Sequence, residues 1–143
     1  MLLDKIDIQI INLLLKNSRM TWKEIGEQIH MTGQAVGNRI KKLEENEVIK
    51  SYSIIVDEMK LGNHTFLAFI TVFMKTTNHT SFKDFLKNRN DVLEAHKISG
   101  EGCYLLKASA KTEEQLNDLL DNILDYGNYR LNLSINIIKN GIL

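Results

Sequence analysis

The chain has 143 residues, of which 43% are hydrophobic and 25% charged, and its 18 basic residues balance 18 acidic ones. This composition excludes a disordered protein, and the zero net charge argues against a strong non-specific binder of nucleic acid. A single cysteine, Cys103, excludes an intramolecular disulfide and fits a reducing compartment. Because there is neither a secretory signal pattern nor an apolar run of roughly 20 residues, we expect a cytoplasmic protein without a membrane span.

The first third of the chain predicts three helices. Residues Asp4–Asn17 carry apolar side chains at helical spacing, and Thr21 with Glu24 forms a capping box that opens a second helix. Thr32 is a good cap for a third helix. The apolar positions that pack these helices together are Ile6, Ile10, Leu13, Leu14, Trp22, Ile25, Ile29, Val36, Ile40 and Leu43. The tight connection at His30–Met31 makes the second and third helices a helix-turn-helix.

The segment after the third helix is rich in β-branched residues. Val48–Asp57 therefore predicts a strand or hairpin, which would be the wing of a winged helix-turn-helix. Leu61–His64 reads as a turn. We place the domain boundary there, which gives an N-terminal domain and linker over residues 1–62 and a second domain over residues 63–143.

The second domain predicts a βαββαβ order, the ferredoxin-like pattern, so that the whole chain is of the α+β class. The predicted strands are Phe66–Lys75, Val92–Ser99, Tyr104–Ala110 and Leu131–Ile138, and the predicted helices are Thr80–Asn88 and one that opens at Thr112 and is broken at Tyr126–Asn128. The first strand is apolar on both faces, whereas the two helices can cover only one face of the sheet. We expect two sheets to pack face to face in a homodimer, the alternative being a cover by the N-terminal domain of the same chain.

The helix-turn-helix is also where the basic residues gather, because residues 28–43 contain no acid. A helix in this position enters the major groove of DNA, where the amides of Gln34 and Asn38 can bond bidentately to adenine. The glycines Gly33 and Gly37 would allow close approach to the DNA backbone. The full set of predicted DNA-binding residues is Arg19, Lys23, Thr32, Gly33, Gln34, Ala35, Asn38, Arg39, Lys41 and Lys42.

Each of these assignments has an alternative. The basic segment could be a solvated helix face, and Asn38 a plain surface residue. Arg39 could pair with Glu24 or Glu27 instead of a phosphate. No catalytic constellation, nucleophile motif or glycine-rich phosphate loop is present, and the four histidines have no metal-ligand spacing. We therefore predict no enzyme, no metal and no cofactor, and an enzyme on a ferredoxin-like scaffold stays a remote alternative.

The chain resembles the Lrp/AsnC family, the leucine-responsive and asparagine-synthesis regulators of bacteria and archaea, over nearly its whole length. The residues that carry the resemblance are Leu3–Asp7, Asn17–Arg19, Glu24–Gly26, Thr32 with Val36, Arg39, Ile40 and Leu43, Val48–Tyr52, and the turn Gly100–Tyr104 with Leu105–Lys107. The resemblance implies a sequence-specific transcriptional regulator that binds double-stranded DNA as a dimer, tetramer or octamer.

The resemblance also implies an effector, commonly an amino acid, bound between subunits near the glycine-rich turn. The residues it assigns to that site are Gly100, Glu101, Gly102, Cys103 and Tyr104. Cys103 departs from the family pattern, because many members have there an aspartate suited to an α-amino group. This departure favours, as an alternative, an architectural protein that wraps DNA without an effector. Cys103 itself is more typical of packing than of a redox switch.

A second departure lies before the predicted wing. Glu47 stands where the family usually has glycine. If that position has a positive φ, a glutamate there would be strained.

Overall fold

The computed structural model describes residues 2–57, 60 and 65–139, and the described chain forms two compact units that divide between Val56 and Asp57. The turn predicted at Leu61–His64 lies outside the described residues. Each unit is therefore considered by itself.

The N-terminal unit contains three helices, α1 (Lys5–Lys16), α2 (Trp22–Ile29) and α3 (Gly33–Glu45). α1 begins at a capping box in which the Asp4 carboxylate accepts the Asp7 N–H and the Asp7 carboxylate accepts the Asp4 N–H. α2 begins at the predicted capping box of Thr21 and Glu24. At α3 the Thr32 hydroxyl accepts the Ala35 N–H at 3.2 Å. All three predicted starts are confirmed.

The core of this unit lies where the three helices meet. Its buried side chains are Ile10, Ile25, Val36, Ile40 and Leu43, all of which the helical spacing predicted to face inward. Trp22 is the exception, because 55% of its surface remains exposed. The core is therefore aliphatic, and the indole ring lies at its edge.

α3 ends in a Schellman arrangement that requires a left-handed residue. The N–H groups of Glu47 and Val48 donate to the carbonyls of Glu44 and Leu43, both at 2.9 Å. Glu47 occupies the left-handed position with φ 56°, which is the strain that the missing glycine predicted.

Replacing Glu47 with glycine should raise the free energy of unfolding by about 0.5–1 kcal/mol, because the left-handed strain is relieved while the unfolded chain gains some entropy. Urea unfolding followed by circular dichroism measures this effect. Glu45→Gly, two residues earlier and still helical, is the matched control and should lower the free energy by about 1 kcal/mol. If both variants were equally destabilised, Glu47 would not be strained.

The predicted wing is not formed within the described residues. Residues 48–57 have no strand, because a strand needs a hydrogen-bonded neighbour and the described part of the unit supplies none. Tyr52 instead holds the segment to α3 by donating its hydroxyl to Glu44 Oε1 at 2.7 Å. Ile54 and Ile55 are 80% and 63% exposed. The strand or hairpin predicted at Val48–Asp57 is therefore wrong for these residues, while the helix-turn-helix is confirmed.

The C-terminal unit has the predicted βαββαβ order. Its elements are β1 (Phe66–Met74), α4 (His79–Lys87), β2 (Val92–Lys97), β3 (Tyr104–Ala110), α5 (Glu113–Leu124) and β4 (Gly127–Leu133). The sheet has the order β2-β3-β1-β4, and every neighbouring pair is antiparallel. This is the ferredoxin-like arrangement, which confirms the predicted fold class.

The core of this unit lies between one face of the sheet and the two helices. Ala68, Ile70 and Val72 of β1 are fully buried. They pack with side chains of α4, β3 and α5, among them Phe82, Leu86, Leu106, Leu119 and Ile123. The alternate residues of β1 point to the opposite face, where Phe69 is 39% exposed. Within this unit the helices therefore cover only one apolar face of β1, as predicted.

The last strand differs from the prediction. It was expected at Leu131–Ile138 but runs over Gly127–Leu133. These are the residues that pair with β1, from Gly127 opposite Met74 to Leu133 opposite Ala68. A final hydrogen bond runs from the Ser134 N–H to the Leu67 carbonyl at 2.8 Å. Beyond this point Ile135 is fully exposed. The alternation of apolar residues in the sequence continues past the end of the available partner strand.

Candidate nucleic-acid interface and ligand turn

The turn between α2 and α3 is fixed by backbone geometry. His30 adopts the left-handed conformation with φ 58°, and the Met31 N–H donates to the Gly26 carbonyl at 2.9 Å. A Cβ at Gly26 would meet the Met31 carbonyl oxygen and would lie 3.3 Å from the Gly33 nitrogen. Gly26 therefore allows the chain to fold back closely enough to make the turn.

The two glycines of α3 also serve the contact between helices. A Cβ at Gly33 would lie 3.2 Å from the Lys23 nitrogen, and one at Gly37 would lie 2.6 Å from Cζ3 of Trp22. Gly37 is buried beneath the indole ring. The expectation that Gly37 faces outward for close approach to DNA is thus wrong, because the space beside it is filled by Trp22.

One face of α3 remains free of such contacts. Gln34, Asn38 and Lys41 are exposed at positions i, i+4 and i+7, so they form a single stripe along the helix. The other exposed members of the predicted set are Arg19, Lys23, Thr32 and Lys42, while Gly33, Ala35 and Arg39 are half-buried. We call Gln34, Asn38 and Lys41 the reading face.

Arg39 binds the first helix. Its Nη1 lies 2.6 Å from Asp4 Oδ2 and 2.7 Å from Asp7 Oδ1. The pKa of Asp4 is lowered by the Asp7 N–H and then by the Arg39 guanidinium, and the pKa of Arg39 is raised by both carboxylates. Arg39 therefore pairs with Asp4 and Asp7 at the start of α1, and not with Glu24 or Glu27. This gives Arg39 a role in holding α1 to α3, and its phosphate contact stays a prediction.

The glycine-rich turn of the C-terminal unit lies against the end of β1. Gly100 and Gly102 have φ values of 95° and 89°, which favour glycine at both positions. The Cys103 N–H donates to the Val72 carbonyl at 2.7 Å, and the Cys103 carbonyl accepts the Ile98 N–H at 3.0 Å. Gly100 and Glu101 are exposed, while Gly102 and Cys103 are half-buried.

Tyr104 belongs to the core beneath this turn. It is 3% exposed, its ring meets that of Phe82 edge-on at 5.1 Å, and its hydroxyl lies 2.8 Å from His79 Nδ1. Burial raises the pKa of Tyr104, with a smaller contribution from Cys103. Cys103 packs against the same core. Of the predicted effector-binding residues, Gly100 and Glu101 are therefore exposed, Gly102 and Cys103 are half-buried, and Tyr104 is buried.

Comparison with known proteins identifies both units. The AsnC-type helix-turn-helix domain matches residues 3–44, and the Lrp/AsnC ligand binding domain matches residues 67–142. The chain belongs to the Lrp/AsnC family. It is therefore a helix-turn-helix transcriptional regulator with a ligand-binding domain, which confirms the resemblance drawn from the sequence.

Named relatives of this Lrp/AsnC protein are regulators as well. It is 55% identical to the HTH-type transcriptional regulator LrpB of Bacillus subtilis over 97% of this chain and 93% of that protein. LrpA of the same organism is 36% identical, with 94% and 98% covered. Among solved structures, B. subtilis LrpC matches with a TM-score of 0.84 at 28% identity, covering 99% of this chain and all of that one.

A Neisseria meningitidis transcriptional regulator, solved as a complex with L-Met, matches with a TM-score of 0.85 at 25% identity, covering 97% and 94% of the two chains. No helix in the described part of this Lrp/AsnC protein is long and apolar enough to cross a membrane. Its described His, Cys, Asp and Glu residues form no group of three that could hold a metal ion.

The apolar character of the outer face of the sheet, opposite the helices, is predicted from the sequence of β1 alone. In this Lrp/AsnC protein that face carries an apolar strip, which we define as Leu67, Phe69, Phe73 and Leu105. Charged residues border the strip. Lys107 Nζ lies 2.9 Å from Glu94 Oε1, which lowers the pKa of Glu94, and His96 Nε2 lies 3.6 Å from Glu94 Oε2.

Proposed function

We propose that this regulator binds a specific sequence of double-stranded DNA as a homodimer, with α3 in the major groove, and that a small effector of the amino-acid class controls the binding. The observation that carries the proposal is the reading face, three exposed polar side chains on a helix held by the packing of α1 and α2. We place this activity in the cytoplasm, with the chromosomal DNA.

The chemistry of the reading face suits base recognition. The amides of Gln34 and Asn38 each offer one donor and one acceptor, which match the N7 and N6 groups of adenine in the major groove. Lys41 lies one turn further along the same stripe. Lys42, Lys23 and Thr32 are exposed beside it and are proposed to contact phosphates, which position the protein without reading sequence.

Gln34→Ala and Lys42→Ala should separate these two roles. Gln34→Ala should lose about 1–3 kcal/mol of discrimination at one base pair, because its bidentate contact is removed. Lys42→Ala should weaken binding to every sequence by a similar factor and reduce the salt dependence by about one ion. Fluorescence anisotropy on an operator and its single-base variants measures both effects. A uniform loss for Gln34→Ala would remove it from the base contacts.

The apolar strip supports a homodimer. Phe69 and Leu105 are 39% and 37% exposed in the single chain, and they lie on the central strands of the sheet rather than at its edges. Burying this strip against a second copy would remove it from water. A two-fold dimer would present two copies of α3, which suits a palindromic DNA site.

Phe69→Asp should raise the dimer dissociation constant by about 100-fold or more, because a charged carboxylate would have to leave water at the centre of the interface. Its cross-strand neighbour Lys107 is already paired with Glu94 and should offset this cost only in part. Sedimentation equilibrium measures the change. Lys83→Asp, an exposed change on α4 on the covered side of the sheet, is the control and should leave assembly unchanged. If Phe69→Asp assembled like the unchanged protein, the strip would not be the dimer interface.

The effector is proposed to bind at residues 100–103. The L-Met complex of the Neisseria regulator supports the amino-acid class. In this chain a thiol, that of Cys103, stands where an aspartate would suit an α-ammonium group. The carboxylate of the turn is that of Glu101, which is exposed with Arg130 Nη1 3.6 Å away. Titrating each amino acid into the protein–DNA complex tests this part of the proposal. If none changes the affinity for DNA, the effector is not an amino acid.

A further inference from the structure

Trp22 is the single tryptophan of the chain, and its position is unusual for so large an apolar side chain. It is the first residue of α2, and 55% of its surface is exposed although helical spacing assigns it to the core. Within the described part of the chain its indole N–H has no acceptor. An amphipathic ring placed in this way is suited to a surface with both apolar and hydrogen-bonding groups.

The ring borders the reading face. A Cβ added to Gly37 would lie only 2.6 Å from Trp22 Cζ3 and 2.9 Å from Trp22 Cδ2. The indole ring is therefore in direct contact with α3. Gly37 immediately precedes Asn38, one of the exposed amides of that face. Trp22 therefore lies within one helical step of the side chains that are proposed to read bases.

The charges around Trp22 favour an anionic partner. Lys23 follows it in the chain and is exposed, and Arg19 lies three residues before it. The acid of the same turn, Glu24, is directed back to the Thr21 N–H and hydroxyl at 2.7 and 2.8 Å, which holds its pKa below the usual value. Trp22 also lies at the amino end of α2, where the helix dipole favours negative charge.

We propose that Trp22 is a DNA-contacting residue, whose indole N–H donates to a phosphate oxygen while its ring packs on the neighbouring deoxyribose. This inference rests on the proposed function, since it requires α3 in the major groove. Gly37 then serves the contact indirectly, because a side chain at this position would meet the indole ring and displace it from its place beside the reading face. Since a phosphate is contacted, Trp22 should contribute to affinity equally for all sequences.

The test uses the full chain and two fluorescein-labelled duplexes of equal length, one from the region upstream of its own coding sequence and one unrelated. Anisotropy gives the affinity for each duplex, and tryptophan emission with iodide quenching, followed on unlabelled duplexes, reports the environment of Trp22 alone. Saturation with DNA should change the emission and protect the indole from iodide. Trp22→Ala should weaken binding to both duplexes by about tenfold or more, the size expected for a lost hydrogen bond to a charged group.

Two further variants sharpen the result. Trp22→Phe keeps a ring on Gly37 but lacks the N–H, so it should weaken binding to both duplexes by an intermediate factor with an unchanged Tm. Leu124→Ala removes a similarly exposed apolar side chain from the C-terminal unit and should bind like the unchanged protein. The unchanged protein could instead bind DNA with no change in tryptophan emission or iodide quenching, and Trp22→Phe could bind equally well. That result would overturn the proposed Trp22 contact but not the proposed function. No binding to either duplex at low salt would overturn the proposed function together with it.

Discussion

Gly26→Ala is expected to lower the free energy of unfolding of the N-terminal unit by about 2–3 kcal/mol and to weaken DNA binding severely. The new Cβ would meet the Met31 carbonyl oxygen, and that carbonyl cannot move freely because the Met31 N–H is bonded to Gly26 at 2.9 Å. Alanine is favoured over glycine in a helix by about 1 kcal/mol, which is too little to offset the clash. The turn would open, and α3 would no longer be held against α2.

Urea unfolding of the full chain and the affinity for an operator duplex measure the two effects. Glu27→Ala is the matched control, since it is the next residue of the same helix, is exposed, and adds no atom near Met31. Its stability should be equal to or slightly above that of the unchanged protein. A Gly26→Ala protein as stable as this control would show that the turn tolerates a side chain, and the account of the turn would be wrong.

Arg39→Ala should lower the free energy of unfolding by about 2 kcal/mol, because it leaves the carboxylate of Asp7, whose side chain is only 5% exposed, without its cation. The loss should be smaller than for a fully buried pair, since the Arg39 side chain is 31% exposed. Part of the effect should depend on pH. The pKa of Asp4 is lowered in the folded state, so its contribution is present above the ordinary value of 3.8 and is lost as the pH falls through the lowered value.

Lys42→Ala is the control for Arg39→Ala, because it removes an exposed cation from the same helix. We expect Arg39→Ala to lose stability, and Lys42→Ala to lose affinity for DNA at unchanged stability. Thermal unfolding at several pH values, together with DNA titrations at a temperature where both variants are folded, separates the two outcomes. Unchanged stability of Arg39→Ala with a uniform loss of affinity would make Arg39 a phosphate contact after all.

Local signals in the sequence were sufficient for the helices. The capping box at Thr21 and the N-cap at Thr32 depend on side chains and N–H groups within three residues of one another, so the start of each helix could be predicted without the fold. The βαββαβ order of the elements along the chain followed from the same kind of evidence. A local pattern, however, carries no information on whether a strand has a partner. For that reason residues 48–57 and the segment after Leu133 were assigned to strands that the described chain does not form.

In the candidate sites too, local features could be predicted from the sequence, whereas contacts between distant residues could not. Exposure of Gln34 and Asn38 followed from helical spacing, since both lie opposite the buried Val36 and Ile40. The pairing of Arg39 with Asp4 spans 35 residues, and no spacing rule reaches that far. The contact of Trp22 with Gly37 depends on how two helices cross, which periodicity does not specify. The aromatic residue and the glycine were each visible in the sequence, but their contact was not.

The most direct test of sequence-specific regulation is the affinity of the purified protein for the DNA upstream of its own coding sequence, compared with an unrelated fragment of equal length across a salt series. We predict tighter binding to the upstream fragment, with a preference that persists near physiological salt because base contacts are not lost with counterions. Equal affinity for both fragments, falling steeply together as salt rises, would contradict the account. It would show that the protein contacts phosphates alone, as an architectural DNA-wrapping protein would.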